Sequence, residues 1–130
     1  MRRVLLAAIL STGLGLVPGR AAAVTVLTSP PLKGGAGGVV CSCSNLTGDP
    51  VVVDIAIRNI GGSTFCQNET VSPGGFPRIC AVSGTLVRTC TVSRDDGSSL
   101  SAKQLLCTLS AVDAAGNPTA VVPVDTKLKQ

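Results

Sequence analysis

The amino-acid sequence predicts an all-β protein, an antiparallel β-sandwich stapled by disulfides, on three observations. Short apolar runs with alternating side chains recur at intervals of roughly ten residues, which is typical of sandwiches. Clusters of Gly, Pro, Asn, Asp and Ser separate these runs and mark turns. The chain has six cysteines but only two aromatic residues, both Phe. Because aliphatic side chains bury less area than aromatic rings, we expect disulfides to supplement the core.

The first 23 residues have the pattern of a secretory signal peptide. Arg2 and Arg3 form a basic region, an apolar stretch follows over 4–17, and small residues at 21–23 suit signal peptidase. The apolar stretch is shorter than the ~20 residues that a membrane-spanning helix requires. We therefore predict cleavage after Ala23, a secreted or periplasmic location, and no membrane span in the mature chain.

The first half of the mature chain contains three predicted strands, over 24–28, 39–46 and 51–58. The connector between the first two, 29–38, is rich in Pro and Gly and is predicted to be flexible. In the third strand, VVVDIAIR, the odd-numbered residues are Val or Ile and the even-numbered ones are more polar on the whole. This alternation is the pattern of a half-buried strand. Segment 63–70 lacks it and is predicted to be less regular.

The second half contains four further predicted strands, over 76–83, 85–93, 103–113 and 119–125. Pro123 predicts that the last of them is an edge strand or ends there, because proline has no N–H to donate to a central ladder. Residues 126–130, TKLKQ, are predicted to be a frayed C-terminal tail. Seven or eight short strands in one domain, 24–125, indicate a sandwich of the immunoglobulin-like type.

The CSC motif, Cys41 and Cys43, raises the question of a metal site. Thiolate binding of copper or zinc by this pair is the alternative to disulfides, but the chain has no His and no CxxC spacing. An oxidising compartment favours disulfides instead. In a strand the two side chains share a face about 6.6 Å apart, so each is expected to pair with a different partner.

The other four cysteines provide those partners. Cys66 and Cys80 flank the SPGG turn and are expected to pair with each other. Cys90 and Cys107, both on apolar strand faces, then remain for the two cysteines of the CSC motif. The sequence leaves open which of them pairs with which, since six cysteines allow many connectivities.

Charge and composition exclude several functions. Without the signal peptide, eight basic and seven acidic residues leave a formal net charge of +1, so no nucleic acid or anionic membrane is predicted as a partner. The absence of His excludes triads that use an imidazole base. The carboxylates fall mostly in turns or on outward strand positions: Asp49, Asp54, Glu69, Asp95, Asp96, Asp113 and Asp125. No catalytic, cofactor-binding or metal-binding residue is therefore assigned.

Two local motifs have ordinary interpretations. Asp95-Asp96-Gly97 could belong to a calcium loop, but the alternating ligand pattern is missing and an ordinary turn is favoured. Asn45 and Asn68 lie in N-glycosylation sequons. The Ala-, Gly- and Val-rich composition looks bacterial, which would make both sequons coincidental.

Several segments together resemble a set of small exported bacterial proteins of unknown function. The segments are CSCSNLTGDP, VVVDIAIRN, the SPGG turn between two cysteines, and RTCTVS, and they cover most of 39–112. The resemblance implies an immunoglobulin-like sandwich and carries no activity or site residues. This chain differs in the extra cysteine of the CSC motif and in lacking aromatic residues near Cys90.

We therefore expect a non-enzymatic binding or structural module with a protein partner at the cell envelope. Loops such as 29–38 and 94–101 are candidates to present the binding residues. A small enzyme inhibitor or a hydrolase with an unrecognised site is the alternative, and a disulfide-braced protruding loop would favour the inhibitor. Carbohydrate binding is disfavoured because the chain contains neither Trp nor Tyr. Fold class alone does not decide among these functions.

Overall fold

A computed structural model describes residues 25–94 and 96–129 of the chain. The predicted signal peptide, 1–23, lies outside the described residues, as do Val24, Asp95 and Gln130. All the regular elements of the described part are β-strands, which confirms the all-β class. No helix in that part is long and apolar enough to cross a membrane.

Ten strands form two antiparallel sheets. The strands are β1 (Thr25–Thr28), β2 (Leu32–Lys33), β3 (Gly38–Asn45), β4 (Val51–Asn59), β5 (Gly62–Val71), β6 (Arg78–Val82), β7 (Val87–Arg94), β8 (Leu105–Val112), β9 (Pro118–Pro123) and β10 (Thr126–Lys129). The six-stranded sheet has the order β10-β1-β7-β4-β5, with β2 also paired to β7. The four-stranded sheet has the order β6-β3-β8-β9. Only the hairpins β4–β5 and β8–β9 link consecutive paired strands, so the chain crosses repeatedly between the sheets.

The core lies between the sheets and is aliphatic. It comprises Leu27, Val39, Cys41, Cys43, Val51, Val53, Ile55, Ile57, Val71, Cys80, Cys90, Val92, Leu100, Leu105, Cys107, Leu109 and Val124. Val51, Val53, Ile55 and Ile57, the odd-numbered residues of the predicted strand 51–58, are all in this set, which confirms its predicted buried face. Neither Phe is buried. Each buried Leu, Ile or Val contributes roughly 1.5–3 kcal/mol relative to an exposed position.

The predictions for 63–70 and for the C-terminal tail are wrong. Segment 63–70 lies within β5, the longest strand, and TKLKQ contributes β10, which pairs with β1. β5 lies at the edge of the wider sheet, where most of its side chains on both faces are exposed. A strand with two solvated faces has no hydrophobic alternation, so its sequence gives no strand signal. Pro123 does end an edge strand, β9, as expected.

The glycine-rich connector 29–38 is packed against the sheets rather than free. It contains β2, and Gly35 pairs with Gly38 in a tight turn. A Cβ on Gly38 would overlap the carbonyl oxygen of Val82, and one on Gly35 would overlap that of Val112. Gly38 also has φ +100°, which L side chains rarely adopt. The glycines are therefore required for close backbone approach at this end of the sandwich.

Candidate binding surface

Two disulfides fix the centre of the domain. Cys41 of β3 bonds Cys90 of β7 and so joins the two sheets, with Cα atoms 6.2 Å apart. Cys43 of β3 bonds Cys107 of β8, which is directly opposite it in the same sheet, with Cα atoms 4.1 Å apart. The two cysteines of the CSC motif thus share a face but have partners in different sheets.

The third disulfide connects the exposed edges of the two sheets. Cys66 of β5 bonds Cys80 of β6, with a Cα–Cα distance of 5.9 Å. The bridge spans a sequence separation of 14 and encloses the SPGG turn. Its effect is to brace the segment between β5 and β6, which carries Phe76 with 94% of its surface exposed.

The CSC motif does not present thiolates in this structure. Cys41 and Cys43 are both oxidised, and all six cysteines, which lie in the described part of the chain, form disulfides. Among residues 25–94 and 96–129, no group of three or more His, Cys, Asp or Glu side chains converges in a way that could hold a metal ion. Metal binding by this pair would first require reduction of two core disulfides.

Two of the acidic residues are engaged in turns. Asp96 accepts hydrogen bonds from the hydroxyl and the N–H of Ser98, which lower the pKa of its carboxyl. Asp113 accepts from the backbone N–H groups of Asn117 and Ala115, which likewise lower its pKa. Both residues organise the backbone of exposed turns, and Asp96 behaves as the ordinary-turn interpretation of its motif expects.

A broad depression lies on the outward face of the six-stranded sheet. We call it the outer hollow; its volume is about 540 Å³. Four neighbouring strands, β1, β7, β4 and β5, supply its lining. The lining residues are Val26, Thr28, Asp54, Ala56, Arg58, Phe65, Gln67, Thr89, Thr91, Ser93 and Arg94.

The strand register explains why these side chains share one surface. Thr28 of β1 is paired with Thr91 of β7, Thr91 with Ala56 of β4, and Ala56 with Phe65 of β5. Residues directly opposite in a sheet point to the same face, so this row forms the middle of the outer hollow. Asp54 and Arg58 lie two positions either side of Ala56 on β4. A carboxylate and a guanidinium therefore flank the row, with Cα atoms about 13 Å apart along the strand.

The side chains that line the outer hollow include charged and polar groups that a ligand could contact. Arg58 lies over the ring of Phe65 at 5.6 Å from its centroid, a cation–π contact. Asp54 Oδ1 accepts the N–H of Asn68 at 2.9 Å. The Nε atom of Arg94 is buried, and no group of the described residues accepts its hydrogen. The surface thus offers charge of both signs, hydroxyl groups and one aromatic ring to a ligand.

Arg88 is a buried cation that the sequence analysis missed. Only 5% of its surface is exposed, and its Nη1 and Nη2 donate to the carbonyl oxygens of Gly84 and Ser83 at 2.9 Å each. Its guanidinium holds the β6–β7 turn against the end of the sandwich. The sequence does contain an indication of its burial. Arg88 lies two and four residues before Cys90 and Val92 in β7 and so shares their buried face.

The loops expected to present binding residues differ in their surroundings. Segment 29–38 is held by backbone hydrogen bonds such as Gly34 N–H to Leu86 O and Gly37 N–H to Val112 O. Segment 94–101 begins at Arg94 in the lining of the outer hollow and contains the buried Leu100. Neither supplies more than one lining residue of the hollow, whose other side chains lie on strands.

Comparison with known proteins leaves the chain without a relative to guide interpretation. No protein-family model, curated protein or solved structure shows significant similarity to it. The function is therefore inferred from the geometry and chemistry of the chain's own residues.

Proposed function

We propose that this protein is an exported, non-enzymatic binding module with an immunoglobulin-like sandwich, and that the outer hollow binds its protein partner. The observation that carries the proposal is the outer hollow itself. It combines Asp54, Arg58 and Phe65 with a row of hydroxyl side chains on adjacent strands. Mixed polar groups around an aromatic residue are typical of surfaces that recognise proteins.

The position of the outer hollow on strands supports a preformed binding surface. Thr89 and Thr91 flank Cys90, whose disulfide anchors β7 to the other sheet. Sites on rigid elements hold their side chains more accurately than sites on loops. A partner would therefore meet side chains that are already ordered, which reduces the entropic cost of binding.

The composition of the outer hollow supports a non-enzymatic role. Among the described residues that line it, Asp54 alone carries a carboxylate, whereas a two-carboxylate hydrolase requires a second acid across the cleft. The sequence offers no imidazole base to activate the hydroxyls of Thr28, Thr89, Thr91 or Ser93.

The immunoglobulin-like type and export rest on further observations. The Cys41–Cys90 bridge between facing sheets and the repeated crossing of the chain are features of that fold type. Three disulfides persist in oxidising compartments such as the periplasm or the extracellular medium. This agrees with the signal peptide expected over 1–23.

The experiment is a quantitative pull-down of envelope proteins with two matched variants. Thr91→Arg places a large side chain in the middle of the outer hollow. Thr108→Arg makes the same change on β8 of the four-stranded sheet. Thr108 is also half-buried, and its neighbour across the strands is Ser42 of β3. We expect one partner to be retained by the wild type and by Thr108→Arg and lost by Thr91→Arg. Equal retention by both variants, or no partner for the wild type, would contradict the proposal.

Protease inhibition is a second candidate, favoured by the braced segment between β5 and β6. Phe76 projects from this segment, and the Cys66–Cys80 bridge constrains its conformation. A rigidly presented aromatic side chain fits the hydrophobic specificity pocket of a chymotrypsin-like protease. Inhibition of chymotrypsin by the wild type, lost in Phe76→Ala but kept in Phe65→Ala, would support this function. No inhibition by the wild type would exclude chymotrypsin as a target.

A further inference from the structure

The edge strand β5 differs from the other edges of the two sheets. It has ten residues, pairs with β4 alone among the described strands, and carries one charged side chain, Glu69, and no proline. Most of its side chains are exposed. The unpaired N–H and C=O groups of such an edge are a template for another strand.

The remaining edges carry features that oppose strand pairing. β9 begins and ends with proline, at Pro118 and Pro123. β10 has only four residues and an exposed lysine, Lys127, and β6 is a five-residue strand with Arg78 exposed at its start. Prolines, lysines and short length are the usual means by which proteins protect sheet edges. β5 is longer than all of these edges and has none of these features.

The open part of β5 is the straight segment 62–67. The side-chain hydrogen bonds to its main chain that the structure describes fall later in the strand, at Asn68, Thr70 and Val71. The register with β4 also shifts between Val53 and Ile55, and Asn68 has φ 55°. The regular edge therefore ends at Gln67, before the bulge.

We propose that β5 pairs with β5 of a second copy of this chain, antiparallel about a two-fold axis with Phe65 opposite Phe65. Directly opposite residues point to the same face of a sheet, and a two-fold axis perpendicular to the sheet keeps the outward faces of both copies on the same side. Odd-numbered residues of one copy must therefore pair with odd-numbered residues of the other, and even-numbered with even-numbered. The axis at Phe65 places Ser63 opposite Gln67 and Thr64 opposite Cys66.

The uncharged side chains of this segment suit pairing with the same segment of a second copy better than pairing with a charged strand. None of the side chains from Ser63 to Gln67 is charged, so the two-fold axis brings no like charges together. Phe65 is 53% exposed in the single chain, and the register gives each ring an aromatic cross-strand neighbour. The axis pairs Ser63 to Gln67 with the same segment of the second copy and keeps Glu69 outside it.

This pairing would also join two outer hollows. Phe65 and Gln67 line the hollow from β5, so the two copies would form one continuous sheet with a two-fold-related pair of hollows across the axis. The inference concerns assembly and stands independently of what the hollow binds, because its key contacts are made by the edge of β5.

The test is the mass of the oxidised protein in solution, by sedimentation equilibrium over about a hundredfold range of concentration. We expect a reversible dimer for the wild type. Phe65→Lys would place two like charges on the axis and raise the dissociation constant at least about tenfold. Phe76→Lys adds the same charge at an exposed Phe off the edge and should dimerise like the wild type. Gln67→Lys provides a second edge variant if Phe65→Lys does not fold.

Amide hydrogen exchange locates the contact. Amides within 62–67 that exchange rapidly in dilute wild-type protein should be protected at concentrations where the dimer forms. A wild type that stays monomeric throughout the range would overturn the proposal. So would a dimer that Phe65→Lys and Gln67→Lys leave unchanged, or one that gives no added protection in 62–67.

Discussion

Cys41 lies directly opposite Cys80 in the pairing of β3 with β6, yet its disulfide runs to Cys90 in the other sheet. Cys80 instead bonds Cys66 of β5. Two cysteines that are opposite each other in one sheet thus form two separate connections between the sheets. The position of the Cys41–Cys90 bridge, at the centre of the core, makes it the principal link between the two layers.

Removal of that link is expected to cost more stability than removal of the edge disulfide. In the chain-entropy description, the Cys41–Cys90 bridge closes 49 residues and contributes about 4 kcal/mol. The Cys66–Cys80 bridge closes 14 residues and contributes about 3 kcal/mol. Urea unfolding of the paired Ala variants measures both losses. A larger loss for Cys66→Ala with Cys80→Ala would contradict the central role of Cys41–Cys90.

Arg88 is expected to stabilise the fold through the β6–β7 turn. Arg88→Met retains much of the side-chain volume but removes the donors to Ser83 and Gly84, with an expected loss of about 2 kcal/mol. Arg58→Met is the matched control at an exposed position on a neighbouring strand, with a change within about 0.5 kcal/mol. Chemical denaturation gives both values, and equal effects of the two substitutions would refute the role of Arg88.

Gly38 is expected to be intolerant of any side chain. Gly38→Ala introduces a Cβ at φ +100° and against the carbonyl of Val82, so we expect a loss of about 2 kcal/mol or more. Gly48→Ala is the control, since nothing lies within 4 Å of a Cβ at that position. Thermal unfolding should show a marked fall in Tm for the first variant and little change for the second. A tolerant Gly38 would mean that the connector is not packed as described.

Acid is expected to weaken the turn that follows β8. The pKa of Asp113 is lowered by the N–H groups of Asn117 and Ala115, so its ionised form is favoured in the folded state. A lowered folded-state pKa gives stability that is present above the unfolded pKa and lost as the pH falls through the folded value. The loss should therefore begin below about pH 4. Carboxyl-carbon NMR titration checks this, and an Asp113 pKa at or above its ordinary value would contradict it.

The sequence predicts those strands that have one face in the core and the other face in solvent. β4 and β8 alternate because one face of each packs on the core, and Asp54 and Arg58 could be placed on the same outward face of β4 from parity alone. β5 could not be predicted, since both of its faces meet solvent. The sequence of β10 gives no strand signal, because its pairing with β1 is a long-range contact that local composition does not encode.

The outer hollow could not be predicted for a related reason. Its side chains come from β1, β4, β5 and β7, which are distant in sequence and become neighbours only through the strand order. Three disulfides can be predicted from the six cysteines and the expected export, because thiols form disulfides in an oxidising compartment. The choice of Cys90 for Cys41 and of Cys107 for Cys43 depends on which strands face each other, which the sequence left open.

Site-specific photo-crosslinking in the producing cell shows whether a partner binds at the outer hollow. A p-benzoylphenylalanine replaces Arg58, at the rim of the outer hollow, or Leu106, which is exposed on the outward face of the four-stranded sheet. We expect an adduct with one envelope protein from position 58 and none from position 106. An adduct from position 106 alone, or equal adducts from both positions, would show that the outer hollow is not the binding surface.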